Sequence, residues 1–293
     1  MSNARDDRDW LKNNPDGEEP APEVVYSPAE EVGDMHFSSE NFTTAIEYLQ
    51  KALDSTENSA DQDKFRILLK ICDCHRQKGN YPEAQDALDA VSELSAKFAT
   101  NDILGKIEYR QAYLLLTRGQ YNDALKTSFS AYRKLKNSDE HGEVASIQNL
   151  IAHCYLRLGL MSEAEEFFQD ALSSFRRVED RVGIAYAFNN LGLVHKNACR
   201  WNRALASLSK SLEIAKTLGL AQHIIRVQLN LGVVYAKLRR FPEAITSFST
   251  AAATAERFGD RVRLTAIPVR RGSLGSSAGS DSGRMNAEEW SWN

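Results

Sequence analysis

The hydrophobic and polar residues of this chain alternate with the period of amphipathic helices. Between residues 185 and 195 the apolar face consists of Phe188, Leu191, Gly192 and His195. Between residues 200 and 212 a second face consists of Trp201, Ala204, Leu205, Leu208 and Leu212. Spacings of three, four and seven residues place the members of each set on one side of a helix. The pattern predicts two consecutive helices joined by a short turn.

One alanine position recurs along the chain at a nearly constant interval. The distances between Ala45, Ala84, Ala124, Ala164, Ala204 and Ala244 are 39 residues once and 40 residues four times. A large apolar residue precedes each alanine by three positions, and a small or apolar residue follows it by seven. A fixed period of this length is typical of repeat proteins, which grow by stacking similar units and need no second core. We expect these alanines where two helices cross, since a larger side chain would push the backbones apart.

Turn residues divide the chain into helix pairs. The turn inside a pair is marked by Gly79, Gly119 and Gly159 or by polar residues at Asn41, Cys199 and Arg239. We predict six helix pairs over residues 25–259, preceded by a disordered acidic lead-in over residues 1–24. A partial seventh helix over residues 260–271 breaks at Pro268, and a flexible tail rich in glycine and serine follows over residues 272–293.

The repeated positions resemble those of the tetratricopeptide repeat (TPR) superfamily. The best copies are Phe188, Leu191, Gly192, His195, Ala204 and Leu208, and then Leu231, Gly232, Tyr235, Ala244, Phe248 and Ala251. The period of 40 exceeds the usual value of about 34, and the proline that ends the second helix is missing. This long form is similar to Partner-of-Inscuteable-type adaptors and to bacterial TPR-containing regulators, and the two groups are not separated by these residues. The resemblance implies an all-α, right-handed superhelical solenoid of about six TPR-like helix pairs.

In this family the first helix of each pair lines a concave groove that binds peptides. The equivalent stripe here includes Arg66, Arg76, Gln77, Lys106, Tyr109, Tyr113, Asn149, His153, Arg157, Tyr186, Asn189, Lys196, Asn197, Arg226 and Lys237. Seven of these residues are cations. The other positions of the same helix faces include three acidic residues, Glu30, Asp34 and Asp73. Cations pair with carboxylates, amides can grip a peptide backbone, and tyrosines supply rigid contact area. The stripe therefore predicts a groove for an acidic peptide, with an ordinary solvated helix surface as the alternative.

The resemblance implies a non-catalytic protein–protein interaction scaffold. The competing hypothesis is a sensory domain of a bacterial signalling or transcription regulator, which binds a small peptide or metabolite and changes the pitch of the superhelix. For His153 in the stripe, a plain polar contact is favoured over pH or ligand sensing. Leu69 and Asp73 stand where chaperone-binding relatives have lysine and asparagine, so a chaperone co-factor role is not expected.

Composition and motifs argue against other functions. The net charge of −4 is unfavourable for nucleic-acid binding, and no apolar run is long enough to cross a bilayer. A polar N-terminus without a signal peptide predicts a cytoplasmic protein. His36, His75 and His195 share a core position, and no phosphate loop or nucleophile elbow is present, so we predict no catalytic, cofactor or metal site. The four cysteines are expected to be reduced, packed thiols.

The C-terminal end of the array carries a further expectation. A stack of helix pairs normally ends in a polar capping helix, because the last pair otherwise exposes its apolar face. Here the seventh copy breaks off after a few residues. The chain is therefore expected to be a shortened relative of a longer regulator, with possible self-association through the uncapped C-terminal repeat.

Overall fold

Twelve helices and no strand make up the described part of the chain. The computed structural model describes residues 26–56 and 61–257. The helices are α1 Pro28–Ser38, α2 Phe42–Ser55, α3 Asp61–Lys78, α4 Tyr81–Ser95, α5 Asn101–Thr117, α6 Tyr121–Leu135, α7 His141–Arg157, α8 Met161–Arg177, α9 Arg181–Asn197, α10 Trp201–Leu218, α11 Ala221–Lys237 and α12 Phe241–Arg257. Successive helices form antiparallel pairs, here called unit 1 (α1 and α2) to unit 6 (α11 and α12).

This architecture confirms the predicted all-α class and the six helix pairs. The lead-in over residues 1–24, the partial helix over 260–271 and the tail over 272–293 lie outside the described residues, and their assignments stay predictions. None of the described helices is long and apolar enough to cross a membrane.

The repeated alanines lie where the two helices of a unit cross. Ala45, Ala84, Ala124, Ala164, Ala204 and Ala244 are each 0% exposed. The facing position on the first helix is also small, for example Gly192 in unit 5. A Cβ atom added to Gly192 would lie 2.6 Å from Cγ of Leu208, a distance that real contacts do not reach. Close approach of the backbones is therefore the physical reason for the repeat, as predicted.

The turn inside each unit contains one residue in the left-handed conformation. Gly79, Gly119 and Gly159 have φ near +80°, whereas the same place is held by Glu40, Cys199 and Arg239 with φ between +55° and +58°. The expectation for Asn41 was wrong by one residue. Asn41 is the N-cap of α2, and its side chain accepts a hydrogen bond from the Thr44 backbone N–H at 3.5 Å.

First helices lie on the inner side of the curved stack. The first helices of units 2–6 contact the next first helix directly (α3 with α5, α5 with α7, α7 with α9, and α9 with α11). No comparable contact joins successive second helices in residues 26–56 and 61–257. In a curved stack, the elements that approach each other most closely are on the concave side. Side chains on the free face of the first helices therefore face the groove.

Three of the four cysteines are packed thiols and one is not. Cys72, Cys74 and Cys154 are buried, and burial raises the pKa of each thiol to about 12. Cys72 and its equivalents in the other units occupy the small-residue position of the first helix. Cys199 is exposed in the turn of unit 5, so the expectation of packing was wrong for this residue.

Candidate peptide-binding groove

The predicted stripe residues lie on five neighbouring first helices but differ in exposure. Tyr109 and Asn189 are buried, whereas Arg157, Asn197 and Lys237 are exposed. The remaining members are partly buried: Arg66, Arg76, Gln77, Lys106, Tyr113, Asn149, His153, Tyr186, Lys196 and Arg226. The chemistry of the stripe therefore depends on what each side chain already contacts.

In units 1 and 2 the cations are already paired with acidic side chains of the chain itself. Glu30 is 1% exposed and accepts hydrogen bonds from Arg66 Nε at 2.8 Å and from Lys70 Nζ at 2.8 Å. Lys70 also contacts Asp34 at 2.6 Å. Burial by itself raises the pKa of Glu30, but the hydrogen bonds from Arg66 and Lys70 outweigh burial and lower that pKa below its usual value. Glu30 is therefore held as a carboxylate.

A second charged cluster joins units 2, 3 and 4. Arg110 donates to Asp73 at 2.6 Å and to Glu143 at 3.0 Å. Arg76 contacts Asp73 at 3.2 Å and lies 4.2 Å from the ring centre of Tyr113. Such buried ion pairs fix the relative positions of neighbouring helices, and breaking one is costly.

These pairs change the expected role of three predicted residues. Arg66 and Arg76 contact Glu30 and Asp73, and Lys106 contacts Glu140 at 2.6 Å. The chain itself supplies carboxylates to these three cations, so their binding of a peptide carboxylate stays a prediction. Sequence reasoning missed the partners Lys70, Arg110, Glu140 and Glu143. The sequence signal that could have identified these pairs is the separation of the two paired residues, which is 33–40 positions and close to one repeat.

In units 4–6 the stripe cations have no carboxylate partner within the described residues. Arg157 donates to the Tyr121 hydroxyl at 2.8 Å, and Arg226 lies over the Tyr186 ring with 5.0 Å between guanidinium carbon and ring centre. Lys196 and Lys237 likewise form no ion pair in this part of the chain. This end of the stripe is positively charged, whereas the opposite end is neutralised internally.

Asparagine side chains form a hydrogen-bonded ladder across the same three units. Lys196 Nζ donates to Asn230 at 3.2 Å, and Asn230 donates to Asn189 at 3.1 Å. Asn189 donates to Asn190 at 3.2 Å, and Asn190 donates to Asn149 at 2.9 Å. The direction of donation leaves the Asn149 amide nitrogen without an acceptor among the described residues. The ladder therefore holds a donor at the groove surface in a fixed orientation.

His75 and His195 hold the same position in the first helices of units 2 and 5. Burial lowers the pKa of His75 and of His195, which favours the neutral imidazole at pH 7. Within residues 26–56 and 61–257, no group of three histidine, cysteine, aspartate or glutamate side chains is positioned to hold a metal ion.

Comparison with known proteins identifies the repeat type. The sequence model of the tetratricopeptide-repeat family matches residues 143–217, which lie in units 4 and 5. Units 4 and 5 are therefore tetratricopeptide repeats. The chain is 21% identical over 248 residues to Protein KINESIN LIGHT CHAIN-RELATED 1 of Arabidopsis thaliana, covering 78% of this chain and 39% of that relative. The chain therefore spans about two fifths of the length of this curated relative.

BtubC and NprR are among the solved structures with a similar fold. The crystal structure of BtubC (BKLC) from P. vanneervenii has a TM-score of 0.55 and 18% identity, over 89% of this chain and 99% of that chain. The crystal structure of NprR in complex with its cognate peptide NprX has a TM-score of 0.60 and 15% identity, over 90% of this chain and 76% of that chain. Identities this low show the shared fold alone. The predicted likeness to one subgroup of TPR proteins, the Partner-of-Inscuteable-type adaptors, stays a prediction.

His153 of TPR unit 4 gives a pH dependence to stability. Burial, together with the nearby charges of Arg226 and Arg157, lowers its pKa to about 4. The unfolded chain, with a histidine pKa of about 6.5, therefore binds a proton between pH 4 and 6.5 that the folded chain does not. We expect stability to rise with pH across this window and the histidine contribution to be lost below pH 4.

Urea unfolding followed by circular dichroism at several pH values measures this effect. His153→Gln should flatten the slope of unfolding free energy between pH 4 and 6.5. His141→Gln is the matched control, because His141 is exposed at the start of the same helix. Equal slopes for wild type and His153→Gln would contradict the assignment.

The C-terminal TPR unit carries a shallow groove of about 740 Å³ beside the last described residues. Its lining includes Ala221 and Ile224 of α11 and Ile245, Ala253 and Arg257 of α12. Self-association through the C-terminal repeat stays a prediction.

Proposed function

We propose that this protein is a non-catalytic interaction scaffold that binds an acidic peptide segment in the concave groove of units 4–6. One observation carries the proposal: the amide ladder there is flanked by cations, Arg157, Lys196, Arg226 and Lys237, that have no carboxylate partner within the described residues. A polar surface that was only solvated would not need a hydrogen-bonded ladder across three helices.

The geometry suggests how the peptide is held. The free Asn149 amide donor suits a backbone carbonyl of an extended segment. Arg157 and Lys237 are separated by two repeats and lie at the same register of their helices, with Asn197 between them. Carboxylates spaced along the peptide would pair with these cations, and charge-assisted hydrogen bonds are the stronger ones. The positive sector on a chain of net charge −4 would also steer an acidic segment to this end.

Three further observations support an intracellular peptide-binding role. NprR, whose fold is similar, was crystallised with a peptide. The family model matches the two units that carry most of the amide ladder. All four cysteines are free thiols, which is the usual state in a reducing compartment, and we infer that the protein acts in the cytoplasm.

Fluorescence anisotropy with a designed peptide tests the proposal. The probe is a fluorescein-labelled twelve-residue peptide with glutamate at alternate positions, and its control is the same peptide with glutamine. We expect the glutamate peptide to bind at least about tenfold more tightly, since each charge-assisted hydrogen bond is worth about 1.5–3 kcal/mol. Equal binding of the two peptides would contradict a preference for acidic segments.

The competing proposal is a sensory domain that changes its pitch on binding a small peptide or metabolite. It is favoured by one observation, a contact between Glu40 of unit 1 and helices of units 5 and 6, because such a contact can be made or broken. Small-angle scattering distinguishes the two proposals. A sensor should become more compact, with a smaller radius of gyration, when ligand is added, whereas an adaptor should not.

A further inference from the structure

Glu40 is an unusual residue for its position. It lies in the turn of unit 1 with φ +58°, where units 2, 3 and 4 have glycine. The left-handed conformation is unfavourable for a side chain with a Cβ atom, and glycine adopts it readily. The Glu40 side chain is nevertheless buried, with 9% of the residue exposed. A strained, buried glutamate at a turn points to contacts that maintain it.

Those contacts are with the far end of the array. The Tyr186 hydroxyl of α9 donates to Glu40 Oε1 at 2.9 Å. The backbone N–H groups of Gln222 and His223, at the start of α11, donate to Glu40 Oε2 at 2.8 Å and 3.4 Å. The partners are 146 to 183 residues away in sequence, so the first unit reaches across the groove to units 5 and 6.

The start of α11 needs such an acceptor. Its N-cap is Leu220, which is 1% exposed and offers no side-chain hydrogen bond. At equivalent places Thr100 and Asp180 cap their own helices. The first amide groups of a helix have no partner inside the helix, and the helix dipole favours a negative charge there. Glu40 therefore supplies from unit 1 the cap that Leu220 cannot.

The surroundings of the carboxylate form a prepared anion site. Burial raises the pKa of Tyr186 to about 12, so its hydroxyl stays protonated and donates. The His223 ring lies 4.2 Å from the Tyr186 ring, and the Arg226 guanidinium lies 5.0 Å from it on the groove side. These rings hold the hydroxyl in place, and Arg226 adds positive charge nearby.

We propose that Glu40 is an internal clasp that closes the array, and that an acidic segment entering the groove displaces it by presenting its own carboxylate to Tyr186 and to the start of α11. The displacement half of this inference rests on the proposed binding of an acidic partner. The clasp half rests on the contacts of Glu40 alone. Release of the clasp would move unit 1 away from units 5 and 6, and this links binding to the opening of the superhelix.

Glu40→Gly tests the clasp without harming the turn. Glycine is the residue that units 2, 3 and 4 use at this place, so the variant removes backbone strain together with the carboxylate. Glu179→Gly is the matched control, because Glu179 is also left-handed, with φ +56°, and is exposed. Glu40→Gln and Tyr186→Phe remove the charge and the hydroxyl separately.

Double electron–electron resonance measures the opening as the distance between two spin labels, one on Cys199 and one on Glu47→Cys. Both sites are exposed, and the other three cysteines are buried. We expect a longer, broader distance distribution for Glu40→Gly and Tyr186→Phe and no change for Glu179→Gly. A distribution for Glu40→Gly that matches wild type would overturn the clasp.

Peptide anisotropy on the unlabelled proteins tests displacement. If the closed state blocks the groove, Glu40→Gly should bind the glutamate peptide about tenfold more tightly than wild type, since apparent affinity scales with the competent fraction. Saturating peptide should also lengthen the label distance in wild type. Equal affinity of the two proteins would overturn the displacement. Failure of either protein to bind the peptide would contradict the proposed function, while the label distances would still decide the clasp.

Discussion

Replacing Ala204 by arginine is expected to unfold units 5 and 6. Ala204 is fully buried at the crossing of α9 and α10, opposite Gly192. Overpacking a core site costs about 1–3 kcal/mol, and an arginine would in addition bury an unpaired charge. We therefore expect Ala204→Arg to reduce the free energy of unfolding by more than about 3 kcal/mol, measured by urea denaturation with circular dichroism.

The same helix provides the control. Ala206 lies two residues further on and is exposed, so Ala206→Arg makes the same chemical change outside the crossing. It should alter stability by less than about 0.5 kcal/mol. Because repeat arrays unfold unit by unit, Ala204→Arg should also split or broaden the transition. Similar stability of the two variants would refute the crossing as the origin of the 40-residue period.

Reversing two groove charges is expected to remove most of the binding of an acidic peptide. Arg157 and Lys237 are exposed stripe cations in units 4 and 6, so Arg157→Glu with Lys237→Glu should leave the fold intact. Two charge-assisted contacts become repulsive. Anisotropy with the glutamate peptide should show at least about a hundredfold loss of affinity.

Arg177→Glu with Lys216→Glu is the matched control for this experiment. Both residues are exposed near the ends of second helices, and the double variant changes the net charge by the same amount on the outer surface. It should lower the affinity only slightly, through weaker long-range steering. An equal loss in both double variants would show that overall charge, and not the groove of units 4–6, governs binding.

The repeat could be predicted from the sequence because it follows from a local steric rule. Ala164 and Ala204 must be small wherever two helices cross, and that requirement recurs with every unit. The groove stripe followed from helical spacing for the same reason. The charged pairs could not be predicted from helical spacing, since Lys70 and Arg110 lie one position outside the stripe. Whether Arg110 meets Asp73 and Glu143 depends on how closely curvature brings neighbouring first helices together.

The contact of Glu40 was beyond sequence reasoning for a different reason. It joins residues 146 to 183 positions apart, and its existence depends on the summed curvature of several units. One local signal was present, a glutamate at a turn place where Gly79 and Gly119 stand in other units. That signal indicates a special role for the residue but does not identify its partner.

An open solenoid tolerates the gain or loss of a repeat, because every unit contacts only its neighbours. The bridge from Glu40 to the start of α11 removes that freedom here. A duplicated or deleted 40-residue unit between them would rotate and shift one side of the bridge relative to the other, and the carboxylate would no longer meet its donors. Relatives that retain this bridge should therefore keep the same number of repeats between its two sides, even where loops and surface residues have diverged.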